Sequence, residues 1–281
     1  MIVDSQIHLW APETPERPWI PGGQQRVHLP EPLTYQKFLP MMDEAGVDRA
    51  IIVPPTWPGD NNDHALEAAE CHPERFAIMG RFPVERSEMA RQLLGWKSQK
   101  GMLGIRVAFN HEKARWIVDG TTDWFWPAVQ EHDIPLMIFA PDSPEAIGRI
   151  AQRYPKLRLI IDHMGLATRG PEHKRIAARI ALIAPFAKYP NVAVKLSAIP
   201  GFSDEPYPYR DMSEHLQTLL AAFGPRRCFW GTDLTHQRGK VPYRQYVTHF
   251  TEELDFLSHD DLEWIMGRGL AECLRWPAAQ P

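Results

Sequence analysis

The feature that most constrains this chain is a regular alternation of short β-branched apolar runs with longer amphipathic stretches. Runs suited to strands stand at Ile2–His8, Ala50–Pro54, Phe76–Arg81, Met102–Ala108, Pro135–Ala140, Leu157–His163, Val192–Ser197 and Cys228–Asp233. Several are apolar almost throughout, as expected of strands covered on both faces. After the first gap, successive runs start roughly 22 to 36 residues apart, room for one strand, one helix and two connections. Helical patterns fill the intervals at Tyr35–Ala45, His64–His72, Arg86–Ser98, Trp124–His132, Pro144–Tyr154, Arg175–Lys188 and Met212–Phe223. Strand–helix alternation implies a parallel sheet. Eight repeats imply closure into an α/β fold of the (β/α)8 TIM-barrel type. An open doubly wound sheet is the alternative, but no GxGxxG follows the first run.

With 281 residues the chain suits a single barrel domain over 1–281, since such barrels take about 250. The first gap is the exception to the period. From Ala11 to Leu33 it holds six prolines, the adjacent Gly22 and Gly23, and no helical period. That composition reads as a long Pro-rich loop after strand 1, ordered over the top of the barrel; a flexible insertion is the alternative. Arg244–Leu257 and Leu262–Leu274 read as closing helices.

Charge narrows the partners. Lys and Arg number 31 against 35 Asp and Glu, a net charge of −4, so no basic excess points to nucleic acid or an anionic membrane. A small anionic substrate held by a few local cations remains open. Cys71, Cys228 and Cys273 are scattered and odd in number, which fits neither a disulfide framework nor a CxxC zinc site. A cytoplasmic location is expected, since the start MIVDSQIHLW lacks the pattern of a secretory signal and no run of about 18 apolar residues occurs. A homo-oligomer is left open.

In a barrel the C-terminal strand ends carry the chemistry, and here they are polar. Strand one reads Val3-Asp4-Ser5-Gln6-Ile7-His8, and alternation would point Asp4, Gln6 and His8 the same way. Three buried polar groups must be mutually satisfied or put to use. Strand four carries Arg106, strand six ends Asp162-His163-Met164-Gly165, strand seven holds Lys195 and Ser197, and strand eight runs to Asp233 and on to His236. Taken singly, His8 could be a hydrogen-bonded structural histidine, Asp233 a helix cap and Lys195 a buried ion-pair partner. Asp4, deeper in its strand, reads as structural. Taken together, His8, His163 and Asp233 would converge on one mouth.

The segments VDSQIHLW, RAIIVPP, HPERFAIMGRF, GIRVAF, LIIDHMG, NVAVKLSA and FGPRRCFWGTDLTH, in this order and spacing, resemble the amidohydrolase superfamily across nearly the whole chain. The resemblance is to the amidohydrolase-2 group, which includes sugar-acid lactonases and 2-pyrone-4,6-dicarboxylate lactonase. It implies a hydrolase of a small acidic lactone. The group's strand-one signature is HxH, two metal-ligating histidines; this chain has Gln6 and His8 there. Many members also end strand five in histidine, whereas Pro135–Ala140 has none. A neutral amide replaces imidazole poorly at zinc, so no cofactor is expected. The alternative is one divalent metal, zinc foremost, on His8, His163 and Asp233.

The resemblance further implies Asp233 as general base, with His8 and His163 as carbonyl-polarising donors. Gln6, Arg106 and Lys195 are the candidates for substrate binding, Arg106 as a fork for a carboxylate. Trp57, which follows strand two, and His236 are added as pocket residues. Two rival functions stay open: a metal-dependent decarboxylase or hydrolase of a small carboxylic acid, and a binding protein on an amidohydrolase scaffold.

Overall fold

A computed structural model describes residues 1–167, 175–237 and 239–277. Eight strands, β1 (Val3–Ile7), β2 (Arg49–Ile52), β3 (Phe76–Gly80), β4 (Met102–Ala108), β5 (Leu136–Phe139), β6 (Leu159–Ile161), β7 (Val192–Ser197) and β8 (Cys228–Gly231), pair in parallel in chain order. Helices α1 (Tyr35–Ala45), α2 (Asp63–Cys71), α3 (Phe125–Glu131), α4 (Pro144–Arg153), α5 (Ile176–Ile183), α6 (Ile199–Phe202), α7 (Ser213–Phe223) and α8 (Tyr243–Glu252) lie between and after them. The result is a (β/α)8 TIM barrel. Among the described residues, no helix is long and apolar enough to cross a membrane.

Side-chain alternation sorts the strand residues into two cores. Ile51, Val53, Ala77, Met79, Met137, Ile160, Ala193 and Phe229 fill the barrel interior. Their neighbours, such as Ile52, Ile78, Ile138, Ile161, Val194 and Trp230, face the surrounding helices. Leu270 and Leu274 of α10 (Gly269–Leu274), with Trp276, join the inner cluster and plug the barrel's N-terminal end, where Arg49 lies 3.9 Å over the Trp276 ring. Each such buried side chain contributes about 1.5–3 kcal/mol of apolar transfer.

Three departures from the sequence expectation bear on the architecture and the site. Arg86–Ser98 winds as a 3-10 segment over Ser87–Ser98, tighter than the α-helix its spacing suggested. The closing stretch breaks into α9 (His259–Glu263), a π turn (Trp264–Arg268) and α10; Gly267 and Gly269 there touch backbone against which a Cβ would clash.

The third difference matters for the site. Asp4, Gln6 and His8 do not share a face. The β1–β2 register shifts between Asp4 and Ile7, which inverts the alternation. Asp4 therefore turns outward, accepting from the Tyr243 hydroxyl of α8 at 2.9 Å and the Thr232 hydroxyl at 2.6 Å. Gln6 and His8 turn into the mouth.

Asp4 also closes the barrel. Where the chain runs on from β8 beside β1, the Asp233 N–H donates to the Gln6 carbonyl, and the Thr232 N–H and hydroxyl both donate to the Asp4 carboxylate. Burial raises the affinity of Asp4 for a proton, and the donors from Thr232, Gln6 and Tyr243 offset this in part. Asp4→Ala would leave four buried donors without an acceptor. It should destabilise the protein by about 3 kcal/mol in urea unfolding, with Asp4→Asn losing less; a loss below about 1 kcal/mol in both would refute the clasp.

Candidate active site

Two strand ends leave regular geometry at the mouth. β6 stops at Ile161, and His163 and Met164 then adopt left-handed backbone conformations (φ 50° and 59°). Alternation alone would aim Asp162 and His163 to opposite sides; the left-handed turn brings both inward. Asp233, just past β8, is also left-handed (φ 50°). Such positions are strained for non-glycine residues and collect at functional sites.

The polar side chains form one connected chain. Lys195 donates to the Gln6 Oε1 at 2.7 Å, and its ammonium lies 2.7 Å from Asp162. With its oxygen held by Lys195, the Gln6 amide presents its NH2 to the His163 Nε2 at 3.3 Å and the Asp233 Oδ1 at 3.5 Å. The donor from Gln6 makes the His163 Nε2 an acceptor. The proton of a neutral His163 then sits on Nδ1, which lies 2.8 Å from the Ser197 hydroxyl. This tautomer follows from the partners rather than from observed hydrogens.

His8 is held differently. Its Nδ1 lies 2.7 Å from the Val53 carbonyl oxygen, which can only accept, so that nitrogen carries a proton. Its Nε2 is 3.1 Å from the Asp233 Oδ1, and a proton there is shared by the pair. The second Asp233 oxygen is 3.7 Å from the His163 Nε2.

Electrostatics sharpen these assignments. Burial pushes His163 down to about 4, against the pull of Asp233 and Asp162, so its ring is neutral at pH 7. Burial opposes the charge on Asp233. The hydrogen bond from His8 and the fields of the His163, His8 and His236 rings outweigh it, holding the carboxyl far below the usual range. Asp162 is likewise desolvated, yet Lys195 and Arg106 hold it at about 2. Burial lowers Lys195, against Asp162.

The structure thus brings His8, His163, Asp233 and Gln6 together. Arg106 gives its Nε to Asp162 at 2.9 Å, and its terminal nitrogens bond to no described residue. Lys195, read as a substrate cation or an ion-pair partner, is the latter: its ammonium is fully buried between Asp162 and Gln6. Trp57 packs on Trp10 and on His28, not directly on the polar chain. His236 lies 5.0 Å from His28, ring to ring.

Sequence reasoning assigned no role to four residues. Asp162 and Ser197 stood among the polar strand ends without one, and Arg81 ends a strand, where the same rule could have found it. His28 comes from the Pro-rich segment, its ring 5.6 Å from that of His8 and its Nδ1 3.0 Å from the Thr235 hydroxyl; only its place in a loop near the mouth hinted at it. A small cleft opens elsewhere, against α2, lined by Trp10, Trp19, Pro54 and His64. None of His8, His163, Asp233 or Arg106 lines it.

The donor set suits a tightly held divalent metal poorly. The Gln6 amide turns its NH2, not its oxygen, toward His163 and Asp233, because Lys195 holds the oxygen. Among the described residues, no group of three or more His, Cys, Asp or Glu side chains is arranged to hold a metal ion.

A parallel barrel with paired histidines and an aspartate at the C-terminal strand ends defines a hydrolase of the barrel class. The chain belongs to the amidohydrolase family, whose pattern residues 3–268 match. It is 26% identical over 239 residues to the 4-sulfomuconolactone hydrolase of Hydrogenophaga intermedia, covering 83% of this chain and 74% of that one. It is 24% identical over 237 residues to the L-fucono-1,5-lactonase of Burkholderia ambifaria, covering 82% and 79%. A crystal structure of an amidohydrolase from Burkholderia multivorans with bound zinc superimposes with a TM-score of 0.80 at 20% identity, covering 99% of this chain and 100% of that one.

The Asp162 carboxyl, depressed from 3.8 to about 2, stabilises the fold above its ordinary value, and that contribution disappears as pH falls through the depressed one. Asp162→Asn should therefore be destabilised near neutrality, and its deficit relative to the wild type should shrink by about 2 kcal/mol between pH 4.5 and 2. Urea midpoints across that range measure it; a deficit independent of pH would contradict the assignment.

Proposed function

We propose that this hydrolase opens a small acidic lactone by attack of water, without a tightly bound metal, within one barrel domain. The observation that carries the reading is the His8–Asp233 pair at 3.1 Å, with His163 on the second carboxylate oxygen and Arg106 beside them. The lactone hydrolases among its relatives support the reaction type.

Asp233 takes a proton from water as the water oxygen bonds to the lactone carbonyl carbon. The carbonyl electrons move to oxygen, and His8 donates from Nε2 to that oxyanion. The ring C–O bond then breaks, and the leaving oxygen takes the proton back from Asp233. The product is a hydroxy acid. Holding Asp233 far below the usual carboxylate range makes it a weak base at rest. As the oxyanion forms, the His8 hydrogen bond transfers to it and Asp233 gains basicity, so the base strengthens when a proton arrives.

In this reading His163 works as a neutral acceptor rather than the donor expected from the resemblance, because Gln6 donates to its Nε2. Lys195 and Gln6 are positioning residues: the ammonium fixes the amide, and the amide fixes the imidazole and the carboxylate. Arg106 offers its two terminal nitrogens to the substrate's carboxylate, a geometry its planar fork suits.

A panel of acidic lactones followed by acid release in a pH-stat tests the reaction; release of CO2 or saturable binding without turnover would replace it. Asp233→Asn should lower kcat by about 100- to 10,000-fold, and full retention of activity would remove Asp233 as the base. Dialysis against a chelator should leave the rate unchanged. One equivalent of zinc in the purified protein, with activity lost on chelation and restored by zinc, would refute the metal-free part.

A further inference from the structure

Arg81 lies just past β3, and the β3–β4 register, Met79 opposite Gly104 and Gly80 opposite Ile105, sets it next to Arg106. Alternation after the inward Ala77 and Met79 turns its side chain into the barrel mouth. The Asn62 amide holds its backbone from both sides: the Arg81 N–H donates to the Asn62 Oδ1 at 2.8 Å, and the Asn62 Nδ2 donates to the Arg81 carbonyl at 3.0 Å. Asn62 thus imitates a further strand and fixes the direction in which the guanidinium leaves.

Arg81 is 8% exposed, and its guanidinium Nε and Nη1 are buried and donate to no described residue. Its ion partner, the exposed Asp60, is 3.6 Å away, beyond hydrogen-bond reach. Burial and the Arg106 charge pull Arg81 down to about 10, against Asp60, so it stays protonated at neutral pH. Two buried guanidiniums side by side repel one another. Unpaired buried donors add to the cost. An anion between them relieves both penalties.

We infer that Arg81 and Arg106 form a two-guanidinium subsite for the anionic substituent of the substrate, with Arg81 deciding between acidic and neutral lactones. The inference rests on the lactonase reading for its substrate and deepens it. Arg106 alone has its Nε engaged by Asp162. Arg81 brings donors that nothing else uses, so an oxyanionic group is held from two adjacent strands and the ring is oriented toward Asp233. Arg81 touches the substituent, not the reacting atoms, and so governs KM and discrimination more than kcat.

The test compares a five-membered lactone carrying a ring carboxylate with its neutral methylamide, on the wild type and on Arg81→Gln and Arg81→Lys. The wild type should prefer the acid. Arg81→Gln should raise KM for the acid at least tenfold with kcat within about threefold, and cut the acid-to-amide ratio of kcat/KM at least tenfold. Arg81→Lys should recover part of that ratio. An unchanged ratio overturns the subsite. Malonate serves as a turnover-free probe on the unmodified protein: it should bind saturably, more weakly as salt rises, and compete with the acidic lactone. Failure of malonate to bind overturns the subsite even if Arg81→Gln does not fold. If no lactone is opened but malonate binds and Arg81→Gln weakens it tenfold or more, the lactonase reading fails while the anion subsite stands.

Discussion

Asp162 carries no catalytic proton in this scheme, yet the site is arranged around it. It is fully buried, and only the two cations on its oxygens, Lys195 at 2.7 Å and Arg106 at 2.9 Å, make its ionised form tolerable there. Those cations are thereby fixed in place. Lys195 then sets the Gln6 amide, the amide selects the His163 tautomer, and Arg106 is left with its terminal nitrogens toward the mouth. A buried ion pair is a weak source of net stability, but it is a strong determinant of geometry. Replacing Lys195 by an apolar residue of similar size would release Gln6 to flip, and with it the proton pattern on which the His8–Asp233 pair relies.

Much of this was legible in the sequence, and the reasons are local. Strand runs such as Met102–Ala108 and Val192–Ser197 coincide with the observed strands end to end, because an apolar run flanked by turn residues has one favourable disposition in a doubly covered sheet. What escaped were departures from regularity. The register shift in β1 separates Asp4 from Gln6 and His8, and nothing in Val3-Asp4-Ser5-Gln6 announces it. The left-handed turn at His163 and Met164 admits Asp162 and His163 to the same space, which strict alternation forbids. Both departures fall at the candidate site: one parts side chains that a regular strand would align, and the other unites side chains that it would direct apart.

Arg81 escaped for a different reason. A single arginine at a strand end looks like a solvated charge in sequence, and only the third dimension shows its donors buried beside a second guanidinium. Lys195 is the converse case. Its charge suggested a substrate contact, but the pairing with Asp162 absorbs it. Which of two cations faces the ligand depends on where the carboxylate sits, and that is set by the turn after β6, not by the residues' own chemistry.

The exchange of a ligating histidine for Gln6 acquires a physical meaning in this frame. An imidazole at that position would offer a lone pair to a cation. The amide, with its oxygen held by an ammonium, instead offers two N–H donors to His163 and Asp233. The same position therefore changes from a ligand for a cation to a donor of hydrogen bonds. In the metal-free reading, these donors and the Arg106 guanidinium supply the positive character that a metal would otherwise provide. Such preorganised donors need no reorganisation when the oxyanion develops. In that reading, a mouth that uses its own donors and Arg106 in this way also selects for substrates that bring negative charge with them.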